Sequence, residues 1–116
     1  MADTQKTFAQ TVGVVLILLG LIGFFNNPVL GYFGVNGLQN IVHLIGGVLG
    51  LVLANKGSGK SFNKWLGIIG VILAILGFIP STAALLLSLL GINQAITVLH
   101  LIVGVVALGV AYGAKG

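Results

Sequence analysis

Apolar residues come in four long runs, separated by short polar breaks. The runs extend from about Phe8 to Phe25, Leu38 to Ala54, Trp65 to Ile79 and Ala95 to Tyr112. Each holds roughly 15–18 residues, enough with flanking residues to cross a hydrocarbon core of about 30 Å. The runs are apolar on all sides, so the alternating pattern of a barrel strand is absent and the predicted element is the helix. Breaks fall at Asn26-Asn27-Pro28, at Lys56-Gly57-Ser58-Gly59-Lys60-Ser61 and at Pro80-Ser81-Thr82. The stretch Ala83–Leu90 is apolar but too short to span, and is expected as a short interfacial helix.

The pattern repeats. Gly34-Val35-Asn36, His43-Leu44-Ile45 and Gly47-Val48 recur as Gly91-Ile92-Asn93, His100-Leu101-Ile102 and Gly104-Val105, always 57 residues later (100 − 43 = 57). Phe8, Gly13 and Gly23-Phe24 line up with Phe62, Gly67 and Gly77-Phe78 at an offset of 54 (67 − 13 = 54). The expected fold is therefore all-α, a four-helix transmembrane bundle. It is made of two tandem helical hairpins, about residues 8–56 and 62–113, within one domain spanning 1–116. Each hairpin crosses twice, so both enter from the same side. The copies are then parallel repeats related by an axis along the membrane normal, rather than the inverted pair common among alternating-access transporters.

Composition supports the membrane assignment. Hydrophobic residues make up 58% of the 116 and charged residues 5%, against about a quarter charged in soluble domains. Mean hydropathy is +1.21. The net charge of +4 comes from five lysines, with no arginine and no dense basic run, so nucleic acid is not an expected partner. The lysines instead mark topology. Lys6 precedes the first span, Lys56, Lys60 and Lys64 lie between the second and third, and Lys115 follows the fourth, while the other two connections carry no charge. The positive-inside rule places both termini and the central loop in the cytoplasm. Trp65 and Tyr112 then fall near the inner interface and Tyr32 near the outer one. The first run resembles a signal peptide, but Phe24-Phe25-Asn26 is no cleavage site, and a retained helix is expected.

Little chemistry is visible. There is no cysteine, and Asp3 is the sole carboxylate side chain, so no acid–base pair, thiolate site or intramembrane proton-carrying acid exists. Ala54 to Ser61 reads A-x-x-x-x-G-K-S, but a phosphate-binding loop follows a strand, and this one follows a membrane helix. No enzymatic activity is expected. The two histidines, His43 and His100, are the candidates for function, at equal depth about 8–10 Å into the bilayer. In one reading they face each other and bind a haem or a chlorophyll-type pigment. In the other, each hydrogen-bonds a neighbouring helix or a loop group such as Asn36 or Asn93. Thr97 precedes His100 by three residues, and Asn40 stands at the matching place in the first copy. Asn36 and Asn93 are placed to cap their helices. Gly46 with Gly50, Gly104, and Gly109 with Gly113 are expected on helix-packing faces, within the chain or against an oligomer or larger membrane complex. The resulting expectation is a structural or accessory protein of the lipid bilayer needing no cofactor. Its alternatives are a haem or pigment protein and a small transporter or channel for an uncharged solute.

Leu30-Gly31-Tyr32-Phe33-Gly34-Val35-Asn36, Asn40-Ile41-Val42-His43-Leu44-Ile45-Gly46-Gly47-Val48-Leu49-Gly50-Leu51, Gly77-Phe78-Ile79-Pro80 and Val98-Leu99-His100-Leu101-Ile102-Val103-Gly104-Val105 together resemble a bacterial four-helix membrane family, domain of unknown function 4383. The resemblance covers nearly the whole chain and implies fold and location only, because that family has no assigned activity. Family members often carry Asp-Asn-x-x-His in the second copy. This chain has Ile96-Thr97-Val98-Leu99-His100 there, so a polar partner for His100 is not carried over.

Overall fold

A computed structural model describes residues 3–114. They form α1 (Thr4–Gly23), α2 (Gly37–Lys56), α3 (Lys60–Phe78), α4 (Pro80–Leu90) and α5 (Gln94–Gly113). Among the described residues there is no β-sheet, and α1, α2, α3 and α5 are each long and apolar enough to cross a membrane. The protein is a multi-pass helical membrane bundle, as the apolar runs predict.

The helices outrun the apolar stretches at the lysine-bearing end. Apolarity marks the lipid, but a helix continues until its backbone groups find other partners. At the start of α1 the Asp3 side chain accepts from the Lys6 backbone N–H at 3.1 Å. The polar turn between α2 and α3 shrinks to Gly57–Gly59, with Gly59 at φ +82°. The short helix starts at Pro80, not Ala83. Proline suits the first turn of a helix, where its missing N–H costs nothing, and it pushes the preceding Ile79 to an extended φ −94°, ψ 121°. The same residue thus stops α3 and starts α4.

Pairing is dense within each hairpin, α1 with α2 and α3 with α5, and sparse between hairpins. The helix faces that meet are lined by small residues. On α1 the buried face is Gln5, Ala9, Gly13, Gly20 and Gly23, and on α3 it is Asn63, Gly67, Gly70, Ala74 and Gly77. Small side chains let backbones approach closely, so dispersion supplies the cohesion that apolar transfer cannot supply in lipid. A Cβ on Gly47 would stand 2.5 Å from the Gly13 carbonyl oxygen, and one on Gly104 3.1 Å from that of Gly67. These contacts hold the matching places in the two hairpins (47 + 57 = 104; 13 + 54 = 67).

Larger apolar residues gather where the hairpin tips meet: Val29 and Val35 from the first connection, Leu86 from α4, Ile92 from the turn after it and Ile96 from the first turn of α5. The tips are also joined backbone to backbone, since a Cβ on Gly34 would meet the Gly91 carbonyl oxygen at 2.5 Å. The bundle is closed at its tips, while the tall outer perimeter is apolar and exposed.

Candidate functional site

His43 and His100 do meet. Each lies six residues into its helix (43 − 37; 100 − 94), about 9 Å along the axis. Their ring centroids are 6.4 Å apart with the planes inclined at 63°. The helices carrying them stay apart: no Cα of α2 comes within 8 Å of one of α5. The rings bridge this diagonal of the bundle. His43 is 8% exposed and His100 half-buried, and the Nδ1 of each is buried without a hydrogen-bond partner.

The expected bonds from the rings to Asn36 or Asn93 do not form, because those amides are engaged elsewhere. Asn36 caps α2, accepting from the Gln39 N–H at 2.9 Å, and its Nδ2 donates to the Leu89 carbonyl at 3.0 Å. Asn93 caps α5, accepting from the Ile96 N–H at 3.1 Å, and donates to the Tyr32 carbonyl at 2.9 Å. Each asparagine therefore starts its own helix and holds the tip of the other hairpin, and the acceptors also stand 57 apart (89 − 32). Gln39 adds a second tie, its Nε2 donating to Leu90 O at 2.7 Å and to Gly34 O at 3.1 Å. The asparagine ties fix α2 and α5 about two turns before the histidines, which sets both rings at one level.

The polar residues three places before the histidines turn sideways. A Cβ on Gly23 would overlap the Asn40 amide, and one on Gly77 would overlap the Thr97 side chain. Asn40 and Thr97 thus fill glycine notches on α1 and α3, and Thr97 donates to its own helix at Asn93 O, 2.8 Å. Neither serves as the partner of a ring.

The glycine expectations divide. Gly50 packs under Phe62, whose Cζ would lie 2.8 Å from an added Cβ, and Gly104 packs on Val71 and Gly70. Gly46 meets only Leu16 at 3.6 Å, so the close face of α2 runs Gly47, Gly50, Ala54. Gly109 and Gly113 have nothing within 4 Å. The packed face of α5 is Gly104, Ala107 and Ala111; Gly109 sits about 140° around the helix from Gly104.

A second polar cluster, at the lysine end, was not expected from the sequence. Gln5 and Asn63 are both fully buried. The Gln5 Nε2 donates to Val110 O at 2.7 Å, with Ala114 O at 3.2 Å, and Asn63 Nδ2 donates to Gln5 O at 3.0 Å and Gln5 Oε1 at 2.9 Å. One amide pair joins α1, α3 and α5. Gln5→Leu should destabilise the bundle by about 1–2 kcal/mol, since interhelical hydrogen bonds in membranes average about 0.6 and reach about 1.7 kcal/mol each. Combined with Asn63→Leu, the losses should be clearly less than additive in a double-mutant cycle of unfolding free energies. Strict additivity would mean that the two amides act separately.

Lys6, Lys56, Lys60 and Lys64 all lie at this end, with Lys64 Nζ 5.3 Å from the centre of the Trp65 ring; Lys115 lies outside the described residues. Two shallow grooves lie on single-helix flanks, one along Thr4, Thr7, Phe8 and Thr11 and one along Leu44, Ile45, Val48 and Leu49. Neither reaches the histidines.

Residues 6–113 match the family described as Domain of unknown function (DUF4383), and the chain belongs to that family. No curated protein and no solved structure matches it.

Proposed function

We infer that this member of the DUF4383 family is an accessory or scaffolding element of the bacterial cytoplasmic membrane, built from two copies of one hairpin, that packs in a larger membrane assembly or against its own copies. The supporting observation is how the polar and small residues are distributed. The amides of Gln5, Asn36, Gln39, Asn63 and Asn93 all close the bundle on itself. The perimeter is left apolar, and Gly109 and Gly113 stand open on α5. Such a molecule offers shape and apolar surface to its surroundings rather than a reaction centre.

Both termini are assigned to the cytoplasm on the lysine distribution. The chain has no cysteine, so single cysteines report directly. Ser58→Cys should react with an impermeant maleimide only in inverted vesicles, and Tyr32→Cys only in intact spheroplasts; the reverse pattern overturns the orientation. For the accessory role, a photo-crosslinking side chain at Gly109 in native membranes should give a discrete protein adduct. One at Ile45, on the exposed flank of α2, should label lipid. Lipid adducts alone at both positions would sink the assembly reading.

The haem or pigment reading draws support from the approach of the two rings to 6.4 Å. An absorption spectrum of protein purified after haem-replete expression tests it: a Soret or chlorin band lost on His43→Ala is the result it requires.

A further inference from the structure

The geometry points to a site of a different kind at the same pair: His43 and His100 form a two-nitrogen seat for a bare monovalent d-block ion, Cu(I) in the cell, held between the two hairpins. Separation is the first argument. A direct N–H···N bond of about 2.9 Å, plus roughly 1.2 Å from nitrogen to ring centre on each side, gives about 5.3 Å between centroids. The observed 6.4 Å is too long for that. Two nitrogens turned toward each other, with metal–nitrogen bonds of about 2.0 Å and the same ring offsets, would give about 6.2–6.6 Å, and the observed spacing has room for that. A 63° angle between the planes is no obstacle, because each ring turns freely about a linear N–metal–N axis.

Unused donor capacity is the second argument. A neutral imidazole carries one donor and one acceptor nitrogen. Here both Nδ1 atoms are buried and unpartnered, on rings held at one level by the tip contacts of Asn36 and Asn93. Bulky imidazoles are costly at this depth unless they interact.

Coordination number and charge select the ion. Among the described residues no group of three metal-binding side chains exists, and Asp3, the sole carboxylate side chain, caps α1 at the far end. Zinc wants four ligands and magnesium six. The charging energy of an ion in a low-dielectric site rises as the square of its charge, so a divalent ion without a carboxylate costs about four times a monovalent one. Copper binds imidazole, and its monovalent form accepts two ligands in a line.

This proposal stands independently of the accessory role and competes with the pigment reading only for the pair. The test uses the full chain in nanodiscs under reductant, titrated with Cu(I) against a chromophoric Cu(I) chelator. One ion per chain is expected, with affinity weakened about tenfold or more by His43→Gln and by His100→Gln, and with no competing uptake of Zn(II). No retained Cu(I), or one equivalent retained by the double variant, overturns the site. X-ray absorption on the Cu(I)-loaded wild type removes any dependence on how the variants fold: two nitrogen neighbours in a line support the site, and three or four neighbours overturn it. A water bridging two ion-free rings, or a pigment already in place on purification, also overturns it, and neither touches the accessory reading.

Discussion

Gly104→Val should destabilise the α3–α5 pairing by about 1–3 kcal/mol, the range for overpacking a close contact, while Gly109→Val, five residues further along the same helix, should change stability by less than about 0.5 kcal/mol. At Gly104 an added Cβ would lie 2.8 Å from the Val71 nitrogen, 3.0 Å from the Gly70 carbonyl carbon and 3.1 Å from the Gly67 oxygen. All three are backbone atoms, so no side chain can swing aside and the helices themselves must separate. At Gly109 nothing lies within 4 Å. Gly47→Val should repeat the large effect in the other hairpin, because its Cβ would meet the Gly13 oxygen at 2.5 Å and the Ile17 nitrogen at 2.9 Å. Reversible unfolding in bicelles measures all three. Equal losses at Gly104 and Gly109 would overturn the contact account, since Gly109 has nothing within 4 Å and valine is the better helix former at both positions within α5.

The contrast between those glycines also shows what the sequence could and could not reveal. Four spans were legible because lipid demands an unbroken apolar stretch. The position of each histidine along its helix was legible too, since Asn36 and Asn93 mark the helix starts and the histidines follow at a fixed distance. Azimuth was not. In a helix that is apolar all round, no polar face reveals which side is turned inward, so the GxxxG spacing of Gly109 and Gly113 looked as good as the contact face through Gly104, Ala107 and Ala111. Reading the stripe rather than the pair would have done better. Gln5, Ala9 and Gly13 continue one line at four-residue steps, as do Asn63, Gly67, Gly70 and Ala74 at steps of three and four. An amide at the end of a small-residue stripe is the signal that would have exposed the Gln5–Asn63 contact. That Asn40 and Thr97 fill notches at Gly23 and Gly77 was hidden because two different side chains do the same packing job. The edge-on approach of His43 and His100 depends on both hairpins at once, and no local pattern encodes it.

That approach rests on the tips, so the sharpest test of the bundle lies at Gly91. Gly91 ends α4 at φ +69°, a left-handed conformation costing an ordinary residue about 1–2 kcal/mol. Its Cβ would also stand 2.6 Å from the Val35 oxygen and 2.7 Å from the Val35 carbonyl carbon, adding about 1–3 kcal/mol of overpacking. Gly91→Val should therefore cost about 2–5 kcal/mol. Gly31→Val is the matched control. It sits at φ +80° with nothing within 4 Å, so the conformational part alone applies, about 1–2 kcal/mol. The excess at Gly91 has a location as well as a size. Prising Gly91 from Val35 pulls on the adjoining bonds from Asn36 to Leu89, Gln39 to Leu90 and Asn93 to Tyr32. Backbone amides of residues 35–39 should then exchange with deuterium faster in Gly91→Val, while those in the middle of α1 and α3 hold. If Gly91→Val behaves like Gly31→Val in both stability and exchange, the tips do not clamp the hairpins. The level of the two histidines would then be set by the Gln5–Asn63 contact at the other end, about 20 Å of helix away, too remote to hold two rings in register across a diagonal the backbones never cross.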